Sequence, residues 1–240
     1  MTVEARGLTK RFGDRTAVDG VSFTAGPGEV LGLLGRNGAG KTTTLRLLTT
    51  ILRPSGGDFS VAGVRNTRPT EIRRRIGVLP ENASYPGMQT GAEFLRYHAR
   101  LFGLPRATAE AVATRLLAEV GLADRGGTRI AGYSRGMRQR LGIARALVNE
   151  PAVVFMDEPT AGLDPAGQQQ VLDLVRGIAA RRGATVVLST HALADVEQVC
   201  ATVLILDAGR ALASGPVGDV TGRGGGLAEA FLAITTEGAQ

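Results

Sequence analysis

The eight residues Gly35-Arg36-Asn37-Gly38-Ala39-Gly40-Lys41-Thr42 constrain this chain more tightly than any other segment. They match the pattern G-x-x-x-x-G-K-[S/T] in full, and their surroundings fit it. Residues 29–34 are a short apolar run that reads as a buried strand, and Leu45, Leu48 and Leu52 give residues 42–52 a helical spacing. Glycines let the backbone curl until successive N–H groups converge on one anion. The start of the following helix adds partial positive charge at the same point. Lys41 is then placed to reach the β- and γ-phosphates of a nucleotide, and Thr42 to hold Mg²⁺. Lysine is scarce here: the chain has 26 arginines but only Lys10 and Lys41. One of the two falls where a compact point charge suits better than a guanidinium.

The rest of the chain supplies the frame such a loop needs. Residues 3–8 and 18–23 alternate like half-buried strands, and 58–62 and 76–79 read as further strands. A helix-rich middle follows. Residues 90–102 and 107–120 are separated by the helix stop Gly103-Leu104-Pro105, and 134–148 form a third helix with Met137, Leu141, Ala144 and Val148 on one face. The last third alternates strand and helix: 153–156, a helix opened by Pro165, 185–189, another helix, and 202–206. This order predicts an α/β fold with a parallel core sheet. The middle, about 82–150, reads as a helical insertion between core segments of about 1–81 and 151–240.

Composition narrows the class. The 240 residues are 43% hydrophobic and 21% charged, which excludes a disordered chain. No apolar run approaches the roughly 18 residues of a membrane helix. Residues 1–10 carry no apolar signal segment, so secretion is not expected. The single cysteine, Cys200, reads as a small buried hydrophobe in a reducing compartment. A net charge of +6 points toward nucleic acid, anionic membrane or phosphate ligands. Aromatic residues are only 4% and tryptophan is absent, which disfavours a single-strand stacking platform. A guanine-binding N-K-x-D motif is also missing, since neither lysine sits in one.

Two further points carry chemistry. The apolar residues 153–156 run into Asp157-Glu158-Pro159, and proline cannot continue a central strand. Both carboxylates therefore stand at a strand's C-terminal end, where open α/β sheets bind ligands. Asp157 suits Mg²⁺, and Glu158 suits orienting or deprotonating an attacking water. His191, after Ser189-Thr190, occupies the equivalent end of the next strand. A neutral imidazole there can donate to a γ-phosphate oxygen and sense its loss. His98 lies mid-helix and reads as structural.

Tyr133-Ser134-Arg135-Gly136-Met137-Arg138-Gln139 opens the third middle helix with a good N-cap at Ser134. Here the chain resembles the ATP-binding-cassette ATPases, whose signature takes the form Y/F-S-x-G-M-R-Q. The order of motifs is also theirs: the phosphate loop, Ser134 to Gln139, Asp157-Glu158, Gly162-Leu163-Asp164 and His191. The resemblance covers essentially the whole chain and is greatest to exporters of the drug-resistance and sodium-extrusion type. It implies a P-loop NTPase with a RecA-like, mostly parallel core sheet, an N-terminal antiparallel β subdomain and an inserted α-helical subdomain, forming one domain over residues 1–240.

The resemblance also implies roles. ATP would be held by Gly35, Asn37, Gly38, Ala39, Gly40, Lys41, Thr42 and Thr43, with Phe12 stacking on adenine in a place often taken by tyrosine. Glu158, His191 and Lys41 would form the catalytic set, and Thr42, Asp157 and Glu81 the Mg²⁺ ligands. Glu81 stands where most members carry glutamine, and it adds a negative charge. Arg135 replaces a glycine of the commoner signature, while the expected γ-phosphate contacts Ser134 and Gly136 remain. Asp164 would couple two sites across a dimer. One cassette implies a second ATPase subunit, either a copy or a close paralogue. A separate membrane permease is also implied, docked near Tyr85, Pro86 and Met88. The location would be the cytoplasmic face of the cell membrane, as a peripheral subunit. A nucleic-acid or ribosome ATPase is the competing reading. Chromosome-type relatives insert long coiled coils where this chain has 91 residues without sustained heptads, and translation-type relatives carry two cassettes. No nucleic-acid partner is expected. Arg36, Arg135, Arg138 and Arg140 are expected near the nucleotide, and Arg73-Arg74-Arg75 and Arg181-Arg182 on solvated faces.

Overall fold

Strand alternation divides the apolar side chains of one central sheet between its two faces, and a smaller third cluster joins Leu34, Val203 and Ile205 with Val196 and Leu227. The computed structural model describes residues 1–222 and 226–237. Its central sheet has six strands in the order β10-β9-β3-β8-β7-β6. The parallel members are β3 (Val30–Leu34), β6 (Ile76–Leu79), β7 (Val153–Asp157), β8 (Thr185–Thr190) and β9 (Thr202–Asp207). An antiparallel edge strand, β10 (Arg210–Pro216), closes one side. A second, four-stranded antiparallel sheet has the order β2-β1-β4-β5, from β1 (Val3–Phe12), β2 (Arg15–Ala25), β4 (Gly56–Val61) and β5 (Val64–Arg65).

Val153 and Phe155 of β7 point to one face, with Leu31 and Leu33 of β3 and Val187 of β8. There they meet the antiparallel sheet through Val3, Leu8, Val21 and Phe59, and helix α1 (Lys41–Leu48) through Leu45, Leu47 and Leu48. Val154, Met156, Val186 and Leu188 point to the other face and pack on helix α6 (Pro165–Arg182) through Val171, Val175 and Ile178. Burial on both faces explains why these strands read as continuous apolar runs rather than alternating ones. The same second core continues into α3 (Gly91–Leu101), α4 (Arg106–Glu119) and α5 (Arg135–Ala146) through Phe94, Leu116 and Leu141.

Local chemistry sets the helix ends. Thr90 and Glu93 form a reciprocal capping box at α3, with N–H donors 3.2 and 2.8 Å from the acceptor oxygens. Asp164 caps α6, accepting from the Gly167 N–H at 3.0 Å, and Pro165 takes the first turn. Helix α1 stops at Leu48, four residues short of the end implied by its leucine spacing. Thr49 closes the helix, and Thr50 turns to a φ of +62°. Helix α2 (Pro69–Arg75) and strands β5 and β10 lacked a clear sequence signal. β5 is two residues long, and β10 is an edge strand without a strongly buried face. Helices α7 (Leu193–Val199), α8 (Val217–Thr221) and α9 (Leu227–Glu237) complete the described chain. No described helix is long and apolar enough to cross a membrane.

Several arginines expected on solvated or ligand-facing surfaces are structural instead. Arg182 is not a solvated end of α6. It grips Glu119 of α4 through two parallel contacts of 2.9 and 2.5 Å, with both side chains mostly covered. Arg140 turns away from the expected nucleotide side and donates to the Val120 and Gly121 carbonyls at the end of α4, at 2.9 and 3.0 Å. Half-buried Arg145, which the sequence did not single out, donates to Val78 O of β6 at 2.8 Å, tying α5 to the sheet. Each cation neutralises a helix C-terminus, a strand-end carbonyl or a carboxylate that burial would otherwise leave unpaired.

Two outcomes follow from this packing. A Cβ added at Gly77 of β6 would fall within the Ala146 carbonyl of α5. Gly77→Ala should cost about 1–3 kcal/mol or more in urea unfolding, while Gly218→Ala, with open space around it, should be near neutral. The hydrogen bond from Arg182 holds the Glu119 carboxyl below the usual glutamate range. Its stabilisation is therefore full above that range and fades as pH falls through the lowered value. Glu119→Gln should cost about 1 kcal/mol at pH 7, and the gap to the parent chain should close on acidification.

Candidate functional site

The C-terminal ends of β3, β7 and β8 lie side by side, because Leu34 pairs with Thr190 and Asp157 with Ser189. Everything that leaves those ends opens on one cavity of about 400 Å³. Its lining includes Asn37, Gly38, Ala39, Gly40, Lys41, Thr42 and Thr43 from the loop after β3. Glu158, Ala161 and His191 come from the loops after β7 and β8, Glu81 from the segment after β6, and Arg15 and Ala17 from β2.

The loop is shaped for an anion. Gly40 has a φ of +105°, and a Cβ there would lie 2.7 Å from the Ala17 carbonyl, so no other residue fits. Gly40 is also the N-cap of α1. The helix start has no side-chain cap and no acidic residue in its first turn. Its free N–H groups and partial positive charge therefore face the cavity unopposed. Lys41 is 6% exposed, and its ammonium donates to Gly35 O at 2.7 Å and Arg36 O at 3.2 Å. The same ammonium lies 3.4 Å from Glu158 Oε1.

Asp157 and Thr42 are brought together as their residue types required. The Thr42 hydroxyl donates to Asp157 Oδ1 at 3.0 Å, and the Ser189 hydroxyl donates to the same oxygen at 2.6 Å. Among the described residues no three His, Cys, Asp or Glu side chains cluster as a metal cage. Two oxygens beside a phosphate-shaped loop still fit Mg²⁺, which takes few protein ligands and completes its shell with phosphate and water oxygens. Glu81 is exposed on the cavity's rim, close enough to contribute to the lining.

Glu158 takes the rare left-handed backbone conformation for a non-glycine residue, with φ +48°. Its N–H is held by Ser189 O at 3.1 Å and Ser189 Oγ at 3.0 Å. The side chain is about 10% exposed and lies between two partners, Lys41 and His191, whose Nδ1 is 2.9 Å from Glu158 Oε2. His191 is 58% exposed. A carboxylate oriented by a cation on one side and an imidazole on the other, in a strained backbone, is arranged for proton transfer at a fixed point.

Other expected site residues stand apart. Phe12 is exposed at the β1–β2 turn, paired with Arg15, and does not line the cavity; the Lys10 ammonium covers its ring at 5.0 Å. Ser134 is exposed and caps α5, accepting from the Met137 N–H at 3.2 Å. Gly136 and Asp164 also lie outside the lining. Arg135 crosses to the loop after β7 and donates to Ala161 O at 2.8 Å, and Gln139 donates to Pro159 O at 2.7 Å. Ser189 escaped the sequence reading. A polar residue closing an apolar strand opposite an acid was its only signal. Cys200 is half-buried, short of the full burial expected of it, and lies behind Gly32; burial first and the Asp195 charge second push its thiol up to about 12. His98 packs edge-on to Phe94 at 4.5 Å, a structural place.

A family model described as ABC transporter matches residues 18–161. The daunorubicin resistance ATP-binding protein DrrA2 of Streptomyces coeruleorubidus is 42% identical over 212 residues, 88% of this chain and 66% of that protein. The Nod factor export ATP-binding protein I of Paraburkholderia xenovorans is 40% identical over 214 residues, 89% of this chain and 70% of its own length. The chain thus spans about two thirds of these curated relatives. A solved structure of an ATP binding subunit of an ABC transporter superposes with a TM-score of 0.87 at 33% identity, covering 98% of this chain and all of that one. A dimeric ATP-binding cassette in a post-hydrolysis state with ADP and Pi shares the fold at a TM-score of 0.80 and 23% identity, over 89% of this chain and 98% of that one.

The geometry makes Lys41 the first residue to test. Lys41→Ala removes the one buried ammonium facing the loop, so the Kd for MgATP in a fluorescent-nucleotide titration should rise about 10- to 100-fold. An unchanged Kd would remove Lys41 from the phosphate site.

Proposed function

This chain belongs to the ABC transporter family, and from that premise we propose that it binds and hydrolyses ATP to power a separate membrane permease. The observation that carries this reading is the convergence of Lys41, Thr42, Glu158 and His191 on one cavity at the strand ends, with Asp157 held behind its lining by the Thr42 hydroxyl.

In this reading the loop N–H groups and Lys41 bind the β- and γ-phosphates and offset the charge that develops during phosphoryl transfer. Thr42 and Asp157 hold Mg²⁺, with Glu81 at the rim as a further ligand directly or through water. Mg²⁺ supplies charge neutralisation and orientation of the phosphates. Glu158 takes the proton from the attacking water, and its contact with His191 keeps the carboxylate aimed. His191 also donates to the γ-phosphate and registers its departure. Phe12 stacks on the adenine from the hairpin edge.

Ser134 caps a helix N-terminus outside the cavity, Gly136 lies in the first turn of that helix, and Asp164 lies on an exposed turn. We assign them to the nucleotide of a second ATPase subunit, either another copy or a close paralogue, so that ATP is enclosed between two chains. Such an N-terminus favours an anion. The permease docks near Tyr85, Pro86 and Met88, where Met88 is largely exposed, and the subunit works at the cytoplasmic face of the membrane. The names of the relatives support export of a drug, antibiotic, lipid-like molecule or ion. The nucleic-acid reading gains no support from them.

Glu158→Gln tests the chemistry directly. It keeps size and hydrogen bonding but removes the base, so steady-state ATPase should fall about 100- to 10,000-fold while ATP still drives dimerisation in sedimentation. Normal turnover in that variant would overturn the role given to Glu158.

A further inference from the structure

Beyond the last ladder pair of β7 and β8, Asp157 with Ser189, the two chains part. Glu158 and His191 both lie on the segments that follow. The Glu158 N–H still bonds to Ser189 O and Oγ, but no ladder pair reaches Thr160 or His191, so a further tie is needed to fix how the two segments sit beyond that point.

One buried carboxylate reaches both segments. Asp195 of α7 is only 6% exposed. Its Oδ2 accepts from the Thr160 hydroxyl at 2.5 Å and from the Thr190 hydroxyl at 3.4 Å. Thr160 lies two residues beyond Glu158, and Thr190 immediately precedes His191; both threonines are buried. Thr190 Oγ1 also accepts from the Ala192 N–H at 3.0 Å, which closes the turn carrying His191. Among the described residues no Lys, Arg or His forms an ion pair with Asp195. A buried anion without a cation is costly, and an apolar residue would fill this place at no such cost. What the carboxylate adds is a single oxygen shared by two hydroxyls, one on the loop after β7 and one at the end of β8.

We propose that Asp195 is a positioning residue for hydrolysis. Through Thr160 and Thr190 it holds the loop of Glu158 against the loop of His191, preserving the 2.9 Å contact between the two side chains. It does not line the cavity. This rests on the roles proposed for Glu158 and His191.

The test uses the full-length chain and steady-state ATPase with MgATP, beside nucleotide binding and thermal melting. Asp195→Ala should lower kcat about 10- to 100-fold, the scale of an Å-level misplacement, with KM for ATP and the Kd for ADP within about two-fold of the parent. Asp195→Asn, which keeps an acceptor oxygen, should recover most of the lost kcat. Thr160→Val should reproduce the Asp195→Ala loss. The double variant should be no worse than the worse single variant, as for two ends of one interaction. If Asp195→Ala fails to fold, Thr160→Val and Asp195→Asn carry the same comparison. A folded Asp195→Ala or Thr160→Val with parental kcat would overturn the proposal. So would additive losses in the double variant, or a loss that follows melting temperature and KM and is not rescued by asparagine. Glu158→Gln is measured in parallel. If it too turns over normally, the reading of Glu158 fails; if it is inactive while Asp195→Ala is normal, only the role of Asp195 fails.

Discussion

The carboxylate of Asp157 ties together the parts on which the site depends. Its Oδ1 accepts from Thr42 at the start of α1 and from Ser189 at the end of β8, while its own backbone ends β7. Three segments far apart in sequence therefore meet at one buried oxygen. Parallel pairing brings the strand ends level, but it does not dictate what stands on them. A charge at that place is tolerable because two hydroxyls donate to it and a phosphate loop with its lysine lies alongside. The same parallel topology makes the site possible, since each strand delivers its loop to one edge of the sheet.

The surroundings of that edge are built to stay polar and somewhat strained. Helix α1 has no side-chain cap, so its N–H groups remain available to a ligand. Glu158 holds a positive φ that an isolated chain would avoid, and Ser189 restrains it with two acceptors for its N–H. The helical part is fastened to the core by Arg182 with Glu119, by Arg145 with Val78, and by Arg135 and Gln139 with the loop after β7. Through those last two contacts, the N-terminal turns of α5 are linked to the loop that follows Glu158. Part of the arginine excess thus goes to carbonyls and carboxylates within the fold.

Most of this architecture was legible in the sequence where chemistry and periodicity agreed. The phosphate loop was unmistakable because its glycines, lysine and threonine occur between an apolar run and a leucine-spaced helix. Strands β7 and β8 were legible as continuous apolar runs because both their faces are buried. The end of α1 was misjudged because leucines continue past Thr50, whose backbone conformation no hydrophobic pattern records. Strands β5 and β10 were missed because one is very short and the other lies at an edge. Arg140 and Arg182 were misread because a charge on a helix gives no hint that its partner is a carbonyl or carboxylate on another element. Ser189 and Asp195 were invisible for a similar reason: their roles come from side-chain contacts across strand ends, and sequence separation hides these. Ser134 and Asp164 cap α5 and α6 and, like Gly136, lie outside the cavity, so within this chain their visible role is structural.

The central claim is that the loop after β3 and the acid at the end of β7 hold one metal–nucleotide complex beneath the Glu158 carboxylate. A crystal structure of this chain with a non-hydrolysable ATP analogue and Mn²⁺ in place of Mg²⁺ tests it most directly, because Mn²⁺ is located by its anomalous signal. The account predicts one strong metal peak beside Thr42 Oγ1 and Asp157, with the analogue's terminal phosphate against Lys41 and facing Glu158. A metal peak away from Thr42 and Asp157, or an analogue whose phosphates lie outside the loop at residues 35–42, would contradict it.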